Sequence, residues 1–191
     1  AVDSGDRFWN GFISVPIEQL DISPEKRESL RNAFYYKPLP FVKHVVFMST
    51  PHRGSYLTGG YINRIFKGVI SLPFTLLSPL QEIFDRNPKA IRIADMKELP
   101  RSTDNMTPDN PFLNNLVSMP VSPAIKAHSI IAVNNPHAPQ EKWHDGVVAY
   151  KSAHIAGVDS EFVVQSNHSS QEAPTAIEEV RRILIENLEE E

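Results

Sequence analysis

The residues able to do chemistry gather in two short segments. Trp143-His144-Asp145-Gly146-Val147-Val148 forms an acidic turn, and Ser166-Asn167-His168-Ser169-Ser170 carries a histidine 23 residues beyond the aspartate. An imidazole titrates near neutrality, so it can take a proton from a hydroxyl nucleophile and later return it to a leaving group. A carboxylate on its far nitrogen selects the tautomer and stabilises the imidazolium. A serine hydroxyl needs such a base, because it is a weak nucleophile at neutral pH. Asp-Gly is also a common turn dipeptide. The pair therefore gains its weight from order and surroundings rather than from either residue alone.

Three apolar runs must position these segments. FVKHVVFM (41–48), IKAHSIIAV (125–133) and EFVVQ (161–165) are dense in β-branched and aromatic residues and read as strands. Asp145 follows the second and His168 the third. In open α/β sheets functional groups gather beyond the carboxyl ends of strands. The chain order, acid before histidine, is that of the Ser…Asp…His triad in α/β-hydrolases.

The helices are read from caps and periodicity. Ser23-Pro24-Glu25 opens a helix that ends before Pro38. A final helix starts near Pro174, with Ile177, Val180, Ile183, Leu184 and Leu188 on one face. Residues 1–14 read as the tail of a helix and a loop. Residues 56–96 read as helical pieces broken at Pro73, Pro79 and Pro88, and Asp109 caps a short helix through Val117. Strands separated in this way predict parallel crossovers in an α/β sheet. A parallel sheet usually has more than three strands and is covered on both faces. One sheet edge therefore expects partner strands that these residues do not supply.

Composition removes several function classes. A net charge of −4 gives no electrostatic footprint for nucleic acid. The absence of cysteine removes disulfides, thiolate metal sites and a thiol nucleophile. No apolar run reaches the length of a transmembrane helix, and AVDSGDRFWN has neither the basic nor the apolar region of a signal peptide. Ala1 reads as an internal start, which leaves the compartment undefined. His137, His144 and His154 form no i, i+4 pair and no H-E-x-x-H, so no metal site is expected.

The segments FMSTPHRGS and HDGVVAYKSAH, with the post-strand histidine of QSNHSS, resemble bacterial lipase/esterase-type α/β-hydrolases from about Phe8 to the terminal helix. The resemblance implies the C-terminal part of that fold: a single partial domain over 1–191, with three mostly parallel strands, flanking helices and a helical cap over 56–120. It implies Asp145 as triad acid and His168 as triad histidine, with His52 and Ser55 of the Thr50–Ser55 segment supporting the site. Phe66, Leu72, Phe74, Leu76 and Leu77 become the candidate acyl-pocket lining. His144 stands where the family has Ser or Asn. Some relatives in the family hold calcium beside the catalytic histidine, but Ser169 stands at that place and no such site is carried over. No cofactor is implied. The expected partners are an ester or lipid substrate and an N-terminal segment of the same protein.

The departure is large, because no G-x-S-x-G occurs in the 191 residues. The nucleophile and the oxyanion donors are expected upstream of residue 1, and the chain alone is expected not to hydrolyse esters. Ser49 and Ser55 lie near the first strand but in no elbow pattern. Ser23-Pro24-Glu25-Lys26 matches S-x-x-K formally, and helix capping accounts for it. Two rivals stand beside the hydrolase reading: a non-enzymatic interaction remnant of the fold, and an acyltransferase or amidase using the same triad. An exposed sheet edge also allows a homo-oligomer.

Overall fold

The computed structural model describes residues 6–35, 37–55, 74–92 and 111–189, without the side chains of 74–77 and 111–112. Its centre is an open parallel sheet of β1 (His44–Met48), β2 (Lys126–Val133) and β3 (Ser160–Gln165), in the order β1-β2-β3. His44 pairs with Lys126, and His128 pairs with Ser160. All three strands fall on the apolar runs read from the sequence, and the expected parallel α/β arrangement is present. Helix α1 (Arg7–Phe12) and helix α2 (Pro24–Phe34) precede the sheet, with Ser23 accepting from the Lys26 N–H as the α2 cap.

Side chains alternate across the sheet, as the two-residue period of a strand requires. On one face Val46, Met48, Ile130, Ala132, Phe162 and Val164 pack against Ala173, Ala176 and Val180. The last two belong to the terminal helix, called α6 here (Pro174–Glu189). On the other face Ile131, Val133 and Val163 pack against Trp143, Val147, Val148, Tyr150 and Ala153. The acidic turn is thus itself a layer of the core. The final helix buries less of its apolar face than its spacing predicts. Ala176 and Ile183 are buried, but Ile177, Leu184 and Leu188 are exposed. Ala173, Ala176 and Val180 form the line that packs on the sheet, and Ile177, Leu184 and Leu188 stand to the side of it.

A separate cluster joins the helices. Phe8, Trp9, Leu30 and Phe34 pack with Ile83 and Met119, and Trp9 meets Phe34 edge-on at 5.4 Å. Ile83 belongs to α3 (Phe74–Arg86), and Met119 follows α4 (Pro111–Val117). A Cβ at Gly11 would lie 2.1 Å from the Asn115 side chain and displace it from the Phe8 carbonyl, to which it donates. Pro79 does not break its helix, contrary to the sequence reading. It sits inside α3. Proline there removes one i→i−4 bond and costs about 3 kcal/mol in an isolated helix. Burial of Ile83 and the Lys26–Glu82 ion pair at 2.6 Å anchor the next turn on α2, so tertiary contacts outweigh the local penalty. Asp109, expected to cap α4, lies outside the described residues, as does Pro73.

At the amino ends of the strands, His44 Nδ1 lies 3.0 Å from His128 Nε2 and His128 Nδ1 lies 2.8 Å from Ser160 Oγ. The imidazole planes differ by 6° with centroids 5.2 Å apart. A nitrogen gap of 3.0 Å at that centroid spacing places the rings end to end, sharing one N–H···N hydrogen bond. Among the described residues no helix is long and apolar enough to cross a membrane.

Candidate active site

Asp145 and His168 emerge at the opposite end of the sheet, the carboxyl end. The aspartate turn begins after β2, where the Asn134 N–H donates to the His144 carbonyl. It closes through an antiparallel bridge between His144 and Ala149. Gly146 occupies φ +94°, a region that favours glycine, so the Asp-Gly pair is demanded by the backbone. Tyr150 begins helix α5 (Tyr150–Ala153), and its N–H returns to the Trp143 carbonyl at 2.9 Å.

The Asp145 carboxylate is buried, with only 1% of its side chain exposed. Its Oδ1 accepts the N–H groups of Val147 at 2.8 Å and Val148 at 2.6 Å. Its Oδ2 meets His168 Nδ1 at 2.8 Å. Three donors thus replace the water that burial removes, which an ionised carboxylate requires. The His168 ring is about one quarter exposed. A carboxylate at Nδ1 fixes that nitrogen as the protonated one, leaving Nε2 with its lone pair. That is the arrangement of a general base.

Asn134, which the sequence did not single out, and Ser49 hold the two loops together. With its carboxamide oriented to satisfy both ends, Asn134 donates to the Ser166 carbonyl and accepts from the Gly146 N–H, each at 3.2 Å. It ties the acid turn to the residues just before His168. Ser49 has φ +44° at the end of β1, is buried, and accepts the Ala132 N–H at 3.2 Å. Its hydroxyl lies 3.4 Å from that of Ser170. These contacts make it a buried anchor beneath the histidine loop and give no support to a nucleophilic role.

The Thr50–Ser55 segment braces the acid side. The Ser55 hydroxyl donates to the Val147 carbonyl. Ser152, fully buried, donates to the Gly54 carbonyl at 2.5 Å and accepts from the Arg53 N–H at 3.2 Å. The Arg53 guanidinium bonds the carbonyls of Lys151 and His154. Ser152 and Asn134 were legible only as polar residues near strand or helix ends. Their partners lie far along the chain. His52, expected in a supporting role with Ser55, packs edge-on against Phe47 at 4.8 Å. Its Nε2 is buried and has no hydrogen-bond partner among the described residues. Burial, helped by the Arg53 charge, pushes its imidazole down to about 4. It is a neutral, apolar-facing ring at pH 7.

The far side of α5 is locked to β3. Tyr150 donates to Glu161 Oε1 at 2.7 Å, and His154 Nδ1 lies 2.6 Å from Glu161 Oε2. Burial, with the Glu161 hydrogen bond, pushes the Tyr150 phenol up to about 12. Of the acyl-pocket candidates, Phe66 and Leu72 lie outside the described residues, as do the side chains of Phe74, Leu76 and Leu77. Among the described residues no group of three His, Asp or Glu side chains is placed to hold a metal ion.

No family model matches this chain, and neither a curated protein nor a solved structure matches it.

Proposed function

We propose that this chain supplies the acid and the base of a serine hydrolase acting on carboxylic esters, in an α/β-hydrolase fold of the lipase/esterase kind. The observation that carries the reading is the 2.8 Å contact of Asp145 Oδ2 with His168 Nδ1, at the carboxyl end of a parallel sheet. In this reading His168 Nε2 takes the proton of a serine hydroxyl as the acyl-enzyme forms and returns it to the leaving alcohol. Asp145 orients the ring and stabilises the imidazolium. Water then repeats the cycle to release the acid. The nucleophile comes from a G-x-S-x-G segment outside these 191 residues, because none of their serines stands in that pattern.

An active-site-serine probe tests this. Treated with a fluorophosphonate, the chain alone stays unlabelled. Joined to the G-x-S-x-G segment of its parent reading frame, it takes up one probe per molecule and hydrolyses p-nitrophenyl esters, and His168→Ala abolishes both. Stoichiometric labelling of the chain alone would refute the reading. So would a parent frame without such a segment, or ester hydrolysis indifferent to His168.

A further inference from the structure

We infer that Ser55 is a positioning residue that sets the tautomer of His168 through a single peptide plane. The Val147 carbonyl and the Val148 N–H belong to the same peptide unit, and in a trans peptide they point in opposite directions. Ser55 donates to the carbonyl end, while the N–H end donates to Asp145 Oδ1 at 2.6 Å. The plane is therefore clamped between a serine hydroxyl and the triad acid. A carbonyl that accepts a hydrogen bond makes the N–H of its own amide a stronger donor. The second carboxylate oxygen is then held at 2.8 Å from His168 Nδ1. Ser55 is 2% exposed, so no water takes over its bond without a rearrangement. Ser55 lies 92 residues from Val147 along the chain and stands beyond β1, not in the acid turn.

Ser152 supplies the internal comparison. It braces the same Arg53–Ser55 segment but bonds Gly54 and Arg53 rather than the acid turn. A merely structural role for Ser55 predicts that both serines behave alike. A positioning role predicts that only Ser55 moves the imidazole. The inference rests on Asp145 and His168 being the acid and base proposed above.

The experiment reads imidazole nitrogen shifts in the ¹⁵N-histidine-labelled chain at pH 8.5, where an ordinary histidine is neutral. The His168 signals are assigned by their loss in His168→Gln. The wild-type chain is expected in the Nδ1–H tautomer. Ser55→Ala is expected to lose at least half of that population to Nε2–H, the tautomer free imidazole side chains favour. Ser152→Ala is expected to lower the unfolding midpoint while leaving the His168 tautomer in place. Should Ser55→Ala not fold, Ser55→Cys keeps the shape with a weaker donor and is expected to show a partial shift. A wild-type tautomer in the folded Ser55 variant overturns the positioning role alone, provided Asp145→Asn does shift it. A wild-type His168 not protonated at Nδ1, or one indifferent to Asp145→Asn, overturns the acid–base reading and this inference with it.

Discussion

Asp145 presents one carboxylate oxygen to two backbone N–H groups and the other to His168 Nδ1, so turn geometry and imidazole orientation depend on the same side chain. The two functions separate by substitution. Asp145→Asn keeps an acceptor for the Val147 and Val148 N–H groups but places an uncharged amide beside the ring. In the protein joined to its nucleophile segment, kcat is expected to fall about 10⁴-fold, with the unfolding midpoint little changed. Asp145→Ala strands both N–H groups in a buried turn. It is expected to cost about 2–6 kcal/mol of stability, at about 1–3 kcal/mol for each of the two unsatisfied buried groups. Denaturant titration of the two variants side by side checks the contrast.

Gly146 sits at φ +94° in the same turn. An added Cβ would make only ordinary contact, 3.4 Å from the Asn134 side chain, so the cost of Gly146→Ala is conformational rather than steric crowding from neighbours. It is expected to be about 1–2 kcal/mol. Gly157→Ala, at φ +79° with no described residue within 4 Å of the new Cβ, should cost a similar amount. Only the Gly146 variant should disturb the His168 imidazole signals. Equal disturbance by both would show that the turn does not transmit its geometry to the ring.

His52 makes stability depend on pH. Its folded-state value is lowered from 6.5 to about 4, because the buried ring and the adjacent Arg53 disfavour the charged form. The unfolded chain therefore binds the proton first. The stabilisation is complete above about pH 6.5, is lost as the pH falls toward 4, and changes no further below that. His52→Phe should flatten the stability curve between pH 6.5 and 4, measured by chemical denaturation at stepped pH. A slope as steep as that of the native chain would show that His52 is not buried neutral.

The His44–His128 pair adds to the same acid sensitivity from the opposite end of the sheet. Desolvation first, then the neighbouring His44, lowers His128, and Arg182 acts in the same direction, while Glu186 and Asp159 oppose. Two rings meeting head-on at 3.0 Å share one proton, and a second would set two N–H groups against each other. Stability is thus lost as the pH falls below the ordinary histidine range. Ser160→Ala, which removes the partner of His128 Nδ1, is expected to cost about 1 kcal/mol at pH 8. Amide exchange at His128 and Ser160 should quicken before that at Ile131 and Val133. Uniform exchange across the sheet would remove the pair from this role.

The positions of the three strands, the Ser23 cap and the terminal helix were legible because each depends on local spacing: β-branched runs, a capping serine, an apolar period. The order of Asp145 before His168 was legible for the same reason, since a triad leaves its order in the chain even when its members lie apart. Pro79 was misread, because the anchoring of its helix by Ile83 and Glu82 is a long-range effect that local propensity cannot register. The family resemblance places His52 and Ser55 together in the Thr50–Ser55 segment. The fold turns one into the Phe47 side of the sheet and the other onto the Val147 carbonyl.

Local pattern suffices to mark which segments become strands and which residue types stand beyond their ends. Long-range packing alone turns the Asp145 carboxylate to His168 Nδ1, spans the two loops with Asn134, sets Ser55 on the acid turn from 92 residues away, and ties Ser152 to the Gly54 carbonyl from 98 residues away. The physical reason is range. Periodicity and capping are set within a turn or two of backbone. A hydrogen bond between distant loops exists only once sheet register and layer packing have brought both partners within about 3 Å.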